Sequence, residues 1–279
     1  MKEYIDLVKL VIDEGVRKPS RTGVETLSYF GAFYKVDLSK GFPLLTTKQV
    51  IWKSLLHEVL WYLSGENHIR NLRKHTKIWD DWADEDGNLE TAYGYYWRHF
   101  PSAEKDKNGK WQVREVDQIR YVIDEIKRNP NSRRLIVSAW EPGNAIKSKL
   151  PPCHYTYAFN INDGKLNCHL TQRSGDIALG IPFNLAAYSL LTKIIAMETG
   201  YEVGWFAHTI IDAHIYVAAA GTDMRKYDHL EGLKEQIKRD PLPLPTLKIN
   251  KKPIDEMTFE DFHLENYRHH PRIKFEVAV

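Results

Sequence analysis

Sulfur is scarce in this sequence: there are two cysteines and four methionines among 279 residues. Two thiols cannot build a disulfide framework, and without a Cys-x-x-Cys pair they offer no zinc-binding spacing, so no metal is expected. An excess of charge of one sign is also missing, because 39 Lys and Arg face 37 Asp and Glu for a net charge of +2. That balance argues against a nucleic-acid binder that works by wholesale phosphate neutralisation. A local basic cluster can still hold one small anion. No uninterrupted apolar run approaches the roughly 18 residues that cross a bilayer. The opening MKEYIDLVKLVIDEGVRKPS spreads its charges through its apolar residues, unlike a signal peptide. Internal repeats, low-complexity tracts and linker-like composition shifts are absent. These absences predict one domain over residues 1–279, with no membrane partner, in the cytoplasm, where both thiols stay reduced.

What is present is a mixture of helical and alternating patterns. Ile5, Val8, Val11 and Ile12 recur at helical spacing and stop at Gly15. TLSYFGAFYKVDL, 26–38, is rich in aromatic and β-branched residues and reads as a strand broken at Gly31, the mark of a bulge. VIWKSLLHEVLWYLSG, 50–65, reads as an apolar helix ending on glycine. It carries Glu58, a costly place for a carboxylate that has no use. Residues 99–115 are polar and turn-rich, an exposed excursion. QIRYVIDEIKRNP follows as a helix that stops before Pro130, and RRLIVSAW begins a buried strand. YTYAFNI and KLNCHLTQR flank Asn-Asp-Gly, the strongest hairpin signal in the chain. NLAAYSLLTKIIAMETG, 184–200, is apolar on nearly every face and should be the central buried helix. The fold class this implies is α+β, a large, mostly antiparallel or mixed sheet covered by helices.

Chemistry concentrates in three groups. Cys153, between two prolines and a histidine, reads either as a packed core thiol or as a nucleophile. The predicted hairpin would bring Arg173 beside it. Cys168 alternates with Leu166 and Leu170 and reads as core. Arg21 in KPSRTG, Arg133 and Arg134 in NSRR, and Arg173 with Ser174 in QRSGD form the second group. Guanidinium forks match phosphate oxygens pairwise, although any one of these arginines alone reads as surface charge. The third group is Asn184, His214 and Tyr216. Asn184 reads either as an N-cap or as a reader of pyrimidine O4 and N3–H. His214 and Tyr216 share a face of an extended segment, where they could meet a sugar hydroxyl or each other.

Taken together these stretches resemble the thymidylate synthase family over essentially the whole chain. The resemblance is carried by RTGVETLSYFG, FPLLTTK, HEVLWYLSG, IWDDWADEDGNL, YGYYWR, SRRLIVSAW, LPPCH, QRSGDIALGIPFN, DAHIY and the terminal VAV. It implies reductive methylation of dUMP to dTMP, with 5,10-methylenetetrahydrofolate as co-substrate and dihydrofolate as by-product. Cys153 would add to C6 of the pyrimidine. Arg21, Arg173 and Ser174 would hold the phosphate, and Arg133 and Arg134 would reach it from the second subunit of a homodimer joined through a sheet face. Gly175 and Asp176 continue that substrate-binding run. Asn184 would read the uracil edge, and His214 and Tyr216 the sugar hydroxyl. Glu58 would move protons, with Tyr93 and His154 nearby. Trp79, Trp82, Leu179, Gly180 and Phe183 would wall the folate, Asp176 would bond its pterin, and Lys48 would meet its glutamate tail. Ala278 and Val279 would close over the site.

The chain departs from the family pattern at Ile211, at VAAAGT (217–222), at Ala158 and at Gly175, which leaves sugar seating open. Asn184, where a cytosine-specific relative carries Asp, implies a uracil substrate. The rival readings are a pyrimidine hydroxymethylase, acting on dUMP before dCMP, and a non-catalytic nucleotide- or RNA-binding protein. The only nucleic-acid partner left open is the chain's own messenger RNA.

Overall fold

The structure is a computed structural model that describes residues 1–219 and 224–277. Helix α1, Lys2–Glu14, buries Tyr4, Leu7, Val8 and Val11 on one face, as the spacing predicts. Strands β1, Val16–Lys18, and β2, Glu25–Asp37, follow, and then α2, Trp52–Ser64, closed by left-handed Gly65. Short α3, Tyr93–Arg98, packs tightly on α2, since a Cβ on Gly94 would lie 2.1 Å from the Tyr62 carbonyl oxygen. The polar excursion is exposed but not irregular. It forms a hairpin of β3, Phe100–Lys105, and β4, Trp111–Val116. After α4, Gln118–Arg128, come β5, Ile136–Ser138, and α5, Pro142–Lys147. Strand β5 is only three residues long, and Ile136 is half exposed, so the expected buried strand is a sheet edge.

The Asn-Asp-Gly turn is as predicted. Asp163 and Gly164 both adopt positive φ between β6, His154–Asn162, and β7, Lys165–Asp176. Helix α6, Gly180–Thr199, links β7 to β8, Glu202–Val217. α7, Leu230–Gln236, and a small hairpin of β9, Thr246–Ile249, and β10, Phe262–Glu265, complete the chain.

The main sheet has six strands in the order β1-β2-β8-β7-β6-β5, and every pair is antiparallel except β7–β8. The parallel pair needs a crossover, and α6 supplies it while packing across both strands. By length and mean hydropathy α6 could cross a membrane, yet 72% of that stretch is buried inside the protein, which makes it the core helix. Gly31 has positive φ, but the β2–β8 register is the same on both sides of it, so no residue is inserted there. Residues are inserted elsewhere, one in β8 opposite Leu166–Cys168 and one in β6. Pairing shifts between His154 and Thr156, beside Cys153. One face of the sheet is covered by helices. The other leaves Phe33, Trp205, Ile211 and Ile136 exposed.

Candidate active site

A cavity of about 720 Å³ opens beside the ends of β7 and β8. The 18–26 stretch, the Pro-Pro-Cys-His turn and the first turns of α6 complete its wall. A second recess of about 380 Å³ shares Trp82, Lys149 and Leu150 with it and runs on to Trp79. Cys153 lies in the wall of the first cavity, immediately before β6.

The hairpin brings Arg173 to Cys153 as expected: the Arg173 N–H donates to the Cys153 carbonyl at 2.8 Å. The guanidinium is clamped on the turn, with Nε 3.0 Å from the Pro152 carbonyl and Nη2 2.7 Å from that of Pro151. The two prolines thus offer carbonyls that fix the cation beside the sulfur. Burial nonetheless pushes the Cys153 thiol above its ordinary range, and the charges of Arg173 and Arg21 and a bond from Tyr93 only partly offset that. The resting thiol is therefore protonated at neutral pH. Cys168 is fully buried, and its thiol is pushed up to about 12 by desolvation, the signature of a core residue.

Arg21, Ser174 and Arg173 meet in the same wall. Among the described residues no carboxylate pairs with Arg21 or Arg173, whereas Arg17, Arg73, Arg98 and Arg120 are all paired. Two unpaired cations over one cavity suit an anion. Among the described residues Arg133 and Arg134 also have no carboxylate partner, but they are exposed and do not line this chain's cavity.

Behind Cys153 lies an aromatic box. The Cys153 N–H donates to the Tyr93 hydroxyl at 2.8 Å, which leaves that hydroxyl its own proton to give. Tyr93 stacks on His154 at 3.6 Å, and His154 Nδ1 shares a 2.6 Å hydrogen bond with Tyr188. Desolvation drives His154 down to about 3, so this ring is neutral and no proton reservoir. Glu58 is different. It is buried, takes a 2.8 Å bond from the Trp79 indole N–H, and desolvation raises it to about 7 against the smaller pulls of Trp79 and Tyr62. A carboxyl poised near neutrality is suited to acid–base work. It sits behind the cavity wall, and Trp79 joins it to the second recess.

Asn184 is not an N-cap. Helix α6 begins at Gly180 with Pro182 in its first turn, which puts Asn184 in the second turn, facing the cavity. Its Oδ1 accepts from Gln172 Nε2 at 3.0 Å. His214 and Tyr216 line the opposite wall, ring edge to face at 5.2 Å, and Asp212 beside them takes bonds from Ser28 and Lys18. Ile211 is exposed on the other sheet face by strand alternation, so its bulk points away from the cavity. Asp176 lines the cavity and holds the helix start, accepting from the Ala178 N–H at 2.8 Å. Burial would raise Asp176, but His229 Nδ1 at 3.7 Å, His214 and the Ala178 N–H outweigh it and keep the carboxyl below its ordinary value.

Several expected residues lie elsewhere. Lys48 is buried, bonded to the Ala178 carbonyl and lying 4.8 Å from the Phe275 ring centre. It buttresses the loop before α6 and does not line the cavity for a ligand tail to reach. Burial lowers it to about 8. Gly175 is buried behind the wall, where a Cβ would meet Ile181 at 2.6 Å and Ile210 at 3.0 Å, so it makes room for packing and does not face the substrate space. Phe183 packs on the core next to the cavity without lining it. Trp82, Leu179 and Gly180 do line it, and Val277 reaches its mouth. Ala278, Val279 and residues 220–222 of VAAAGT lie outside the described residues. Gln172, His208, Tyr188 and Lys149 were not singled out from sequence. The available signal for Gln172 and His208 was a polar residue at an inward position of a strand, among Leu166, Cys168 and Leu170 or Phe206 and Ile210.

A sequence model described as thymidylate synthase matches residues 2–279. A thymidylate synthase of Haloferax volcanii is 45% identical over 326 aligned positions, which take in 98% of this chain and 95% of that protein. With the Pro-Cys-His turn, the clamped arginine and Asn184 all facing one cavity, this chain belongs to the thymidylate synthase family.

Proposed function

We propose that residues 1–279 form one catalytic unit that converts dUMP to dTMP in a reducing compartment, the cytoplasm. The observation that carries the reading is the convergence on one cavity of a cysteine, a carboxamide, and an arginine with no carboxylate partner among the described residues whose guanidinium is clamped on the carbonyls of Pro151 and Pro152. Cys153 Sγ adds to pyrimidine C6 and loses its proton as it does so, which makes C5 nucleophilic. Arg21, Arg173 and Ser174 bind the phosphate. Asn184 reads the uracil edge, and His214 and Tyr216 hold the sugar hydroxyl. Glu58, near neutrality, takes and returns protons through ordered water, and Tyr93 relays at the sulfur side.

The walls fit 5,10-methylenetetrahydrofolate. Trp82, Leu179 and Leu150 are flat or apolar, and Gly180 has nothing closer than 3.7 Å to its Cβ position, which leaves a slot for a planar bicycle beside the Asp176 carboxylate. That co-substrate supplies the one-carbon unit and the hydride. The protein's part is to stack it with Trp82 and Trp79, bond it through Asp176 and exclude water, with the terminal residues closing the mouth.

The exposed apolar sheet face and the unpaired Arg133 and Arg134 support a homodimer in which those two arginines serve the neighbouring phosphate site. The test is incubation with dUMP and methylenetetrahydrofolate, with both products identified by mass. dTMP with equimolar dihydrofolate is expected, Cys153→Ala should be inactive, and 5-fluoro-dUMP should label a Cys153 peptide. Hydroxymethyl-dUMP with tetrahydrofolate, an active Cys153→Ala protein, or a label on Cys168 would overturn the reading.

A further inference from the structure

Beneath Asn184 a line of buried side chains runs away from the cavity. Gln172, His208 and Tyr34 are 2%, 0% and 7% exposed. Gln172 Nε2 donates to the Ser174 carbonyl at 2.9 Å and to Asn184 Oδ1 at 3.0 Å. A backbone carbonyl can only accept, so Ser174 fixes which end of the Gln172 amide is nitrogen. Gln172 Oε1 must then accept, and its partner is His208 Nε2 at 3.0 Å. His208 Nε2 therefore carries the ring proton, and Nδ1 is left to accept from the Tyr34 hydroxyl at 2.8 Å. Burial drives His208 down to about 3, so the ring stays neutral with one defined tautomer at any ordinary assay pH. Every donor in the series points the same way, from Tyr34 through His208 and Gln172 to Asn184.

We propose that Tyr34 and His208 are positioning residues that set which way the Asn184 carboxamide faces, and so make the site prefer a uracil over a cytosine ring. The inference rests on the dUMP reading above. Because Gln172 fills one lone pair of Asn184 Oδ1, the Asn184 amide nitrogen is held as a donor toward the cavity, with the second oxygen lone pair beside it. Uracil presents an acceptor, O4, next to a donor, N3–H. That edge matches a fixed donor–acceptor pair. Cytosine presents the reverse, a donor amine next to an acceptor N3, and would set amine against amine. An isolated Asn could flip and accept either ring. Here a flip would place Asn184 nitrogen against Gln172 nitrogen, and turning Gln172 to relieve it would abandon the Ser174 carbonyl and set Gln172 nitrogen against the protonated Nε2 of His208. The discrimination is therefore anchored at the Ser174 carbonyl, and the Tyr34 hydroxyl, which gives its proton to His208 Nδ1 in the sense that carbonyl sets, completes the series well away from the base.

The test compares wild type with Tyr34→Phe, His208→Leu and His208→Gln. For each, kcat and KM for dUMP, the inhibition constant of dCMP and the melting temperature are measured. Tyr34→Phe and His208→Leu should raise the KM for dUMP and lower the dUMP-over-dCMP preference about tenfold, the scale on which one buried hydrogen bond acts. His208→Gln, whose amide nitrogen reaches the place of Nε2, should recover most of that preference. A purely structural role would lower the melting temperature and leave the ratio unchanged in every variant, and that result overturns the inference. Tyr34→Phe keeps the ring and removes one oxygen, so it decides the matter if a His208 substitution fails to fold. Wild-type protein that does not bind dUMP would sink the functional reading along with this one. Wild type that binds and discriminates, with variants equally discriminating, sinks only this one.

Discussion

Replacing Glu58 by Gln should make the protein more stable at alkaline pH and no more stable at acid pH. Glu58 is buried on α2, takes a bond from the Trp79 indole N–H at 2.8 Å, and is lifted by desolvation from an ordinary 4.5 to about 7 against the smaller pulls of Trp79 and Tyr62. Between these two values the native state keeps a proton that the unfolded chain has already released. Stability therefore falls as pH rises through that window and levels off above it. At about 1.4 kcal/mol for each tenfold, the loss approaches about 3 kcal/mol once both states are ionised, an upper bound because water penetration softens burial. Glutamine keeps an oxygen for Trp79 and carries no charge, so it escapes this loss. Urea unfolding of both proteins at equal concentration, followed by tryptophan fluorescence, should show Glu58→Gln ahead by about 1–3 kcal/mol near pH 8.5 and level with wild type near pH 4.5. Other groups that titrate in this range, Lys48 among them, are common to both proteins and cancel in the difference. A difference that is flat with pH, or a variant less stable at alkaline pH, would refute the view that the carboxylate is held against desolvation for use in proton transfer.

Gly175→Val should cost about 1–3 kcal/mol of stability by forcing Ile181 and Ile210 apart, read as a lowered denaturation midpoint. Arg134→Ala and Cys153→Ala chains, each inactive alone, should regain about a quarter of wild-type activity when refolded together, since half the dimers are hybrid and carry one intact site. A monomer in solution, or no recovery from a demonstrably mixed dimer, would refute the shared site. Removing Val279 should slow methylation and raise the share of hydroxymethyl-dUMP detected by mass spectrometry, because a site that closes less completely admits water. Cys168→Ala should lose stability and keep turnover, the reverse of Cys153→Ala.

The local series in this chain carried most of its elements. Helical spacing in 2–14, the Asp163–Gly164 turn and the alternation of β6 and β7 are set by neighbours within a few residues, and the structure repeats them. The Pro-Cys-His and Gln-Arg-Ser runs were equally legible, and once the hairpin register is fixed they must meet. Properties that depend on distant residues were not legible. The start of α6 at Gly180 in place of Asn184, and the parallel pairing of β7 with β8, follow from how one helix packs across two strands. The resemblance gives Lys48 to the folate's glutamate tail, and only the packed structure shows the Ala178 carbonyl and Phe275 closing over it. Cys153 reads either as a core thiol or as a nucleophile beside Arg173, and its protonation is decided only where burial is weighed against two guanidiniums and wins. Glu58 was marked by its apolar neighbours, but its rise to about 7 is set by desolvation in the packed interior. The Tyr34–His208–Gln172–Asn184 series joins residues from β2, β8, β7 and α6. Sequence decides which side chains alternate inward. Only strand order and register decide which of them touch, because hydrogen-bond direction and dielectric environment are properties of the assembled interior and not of any segment of it.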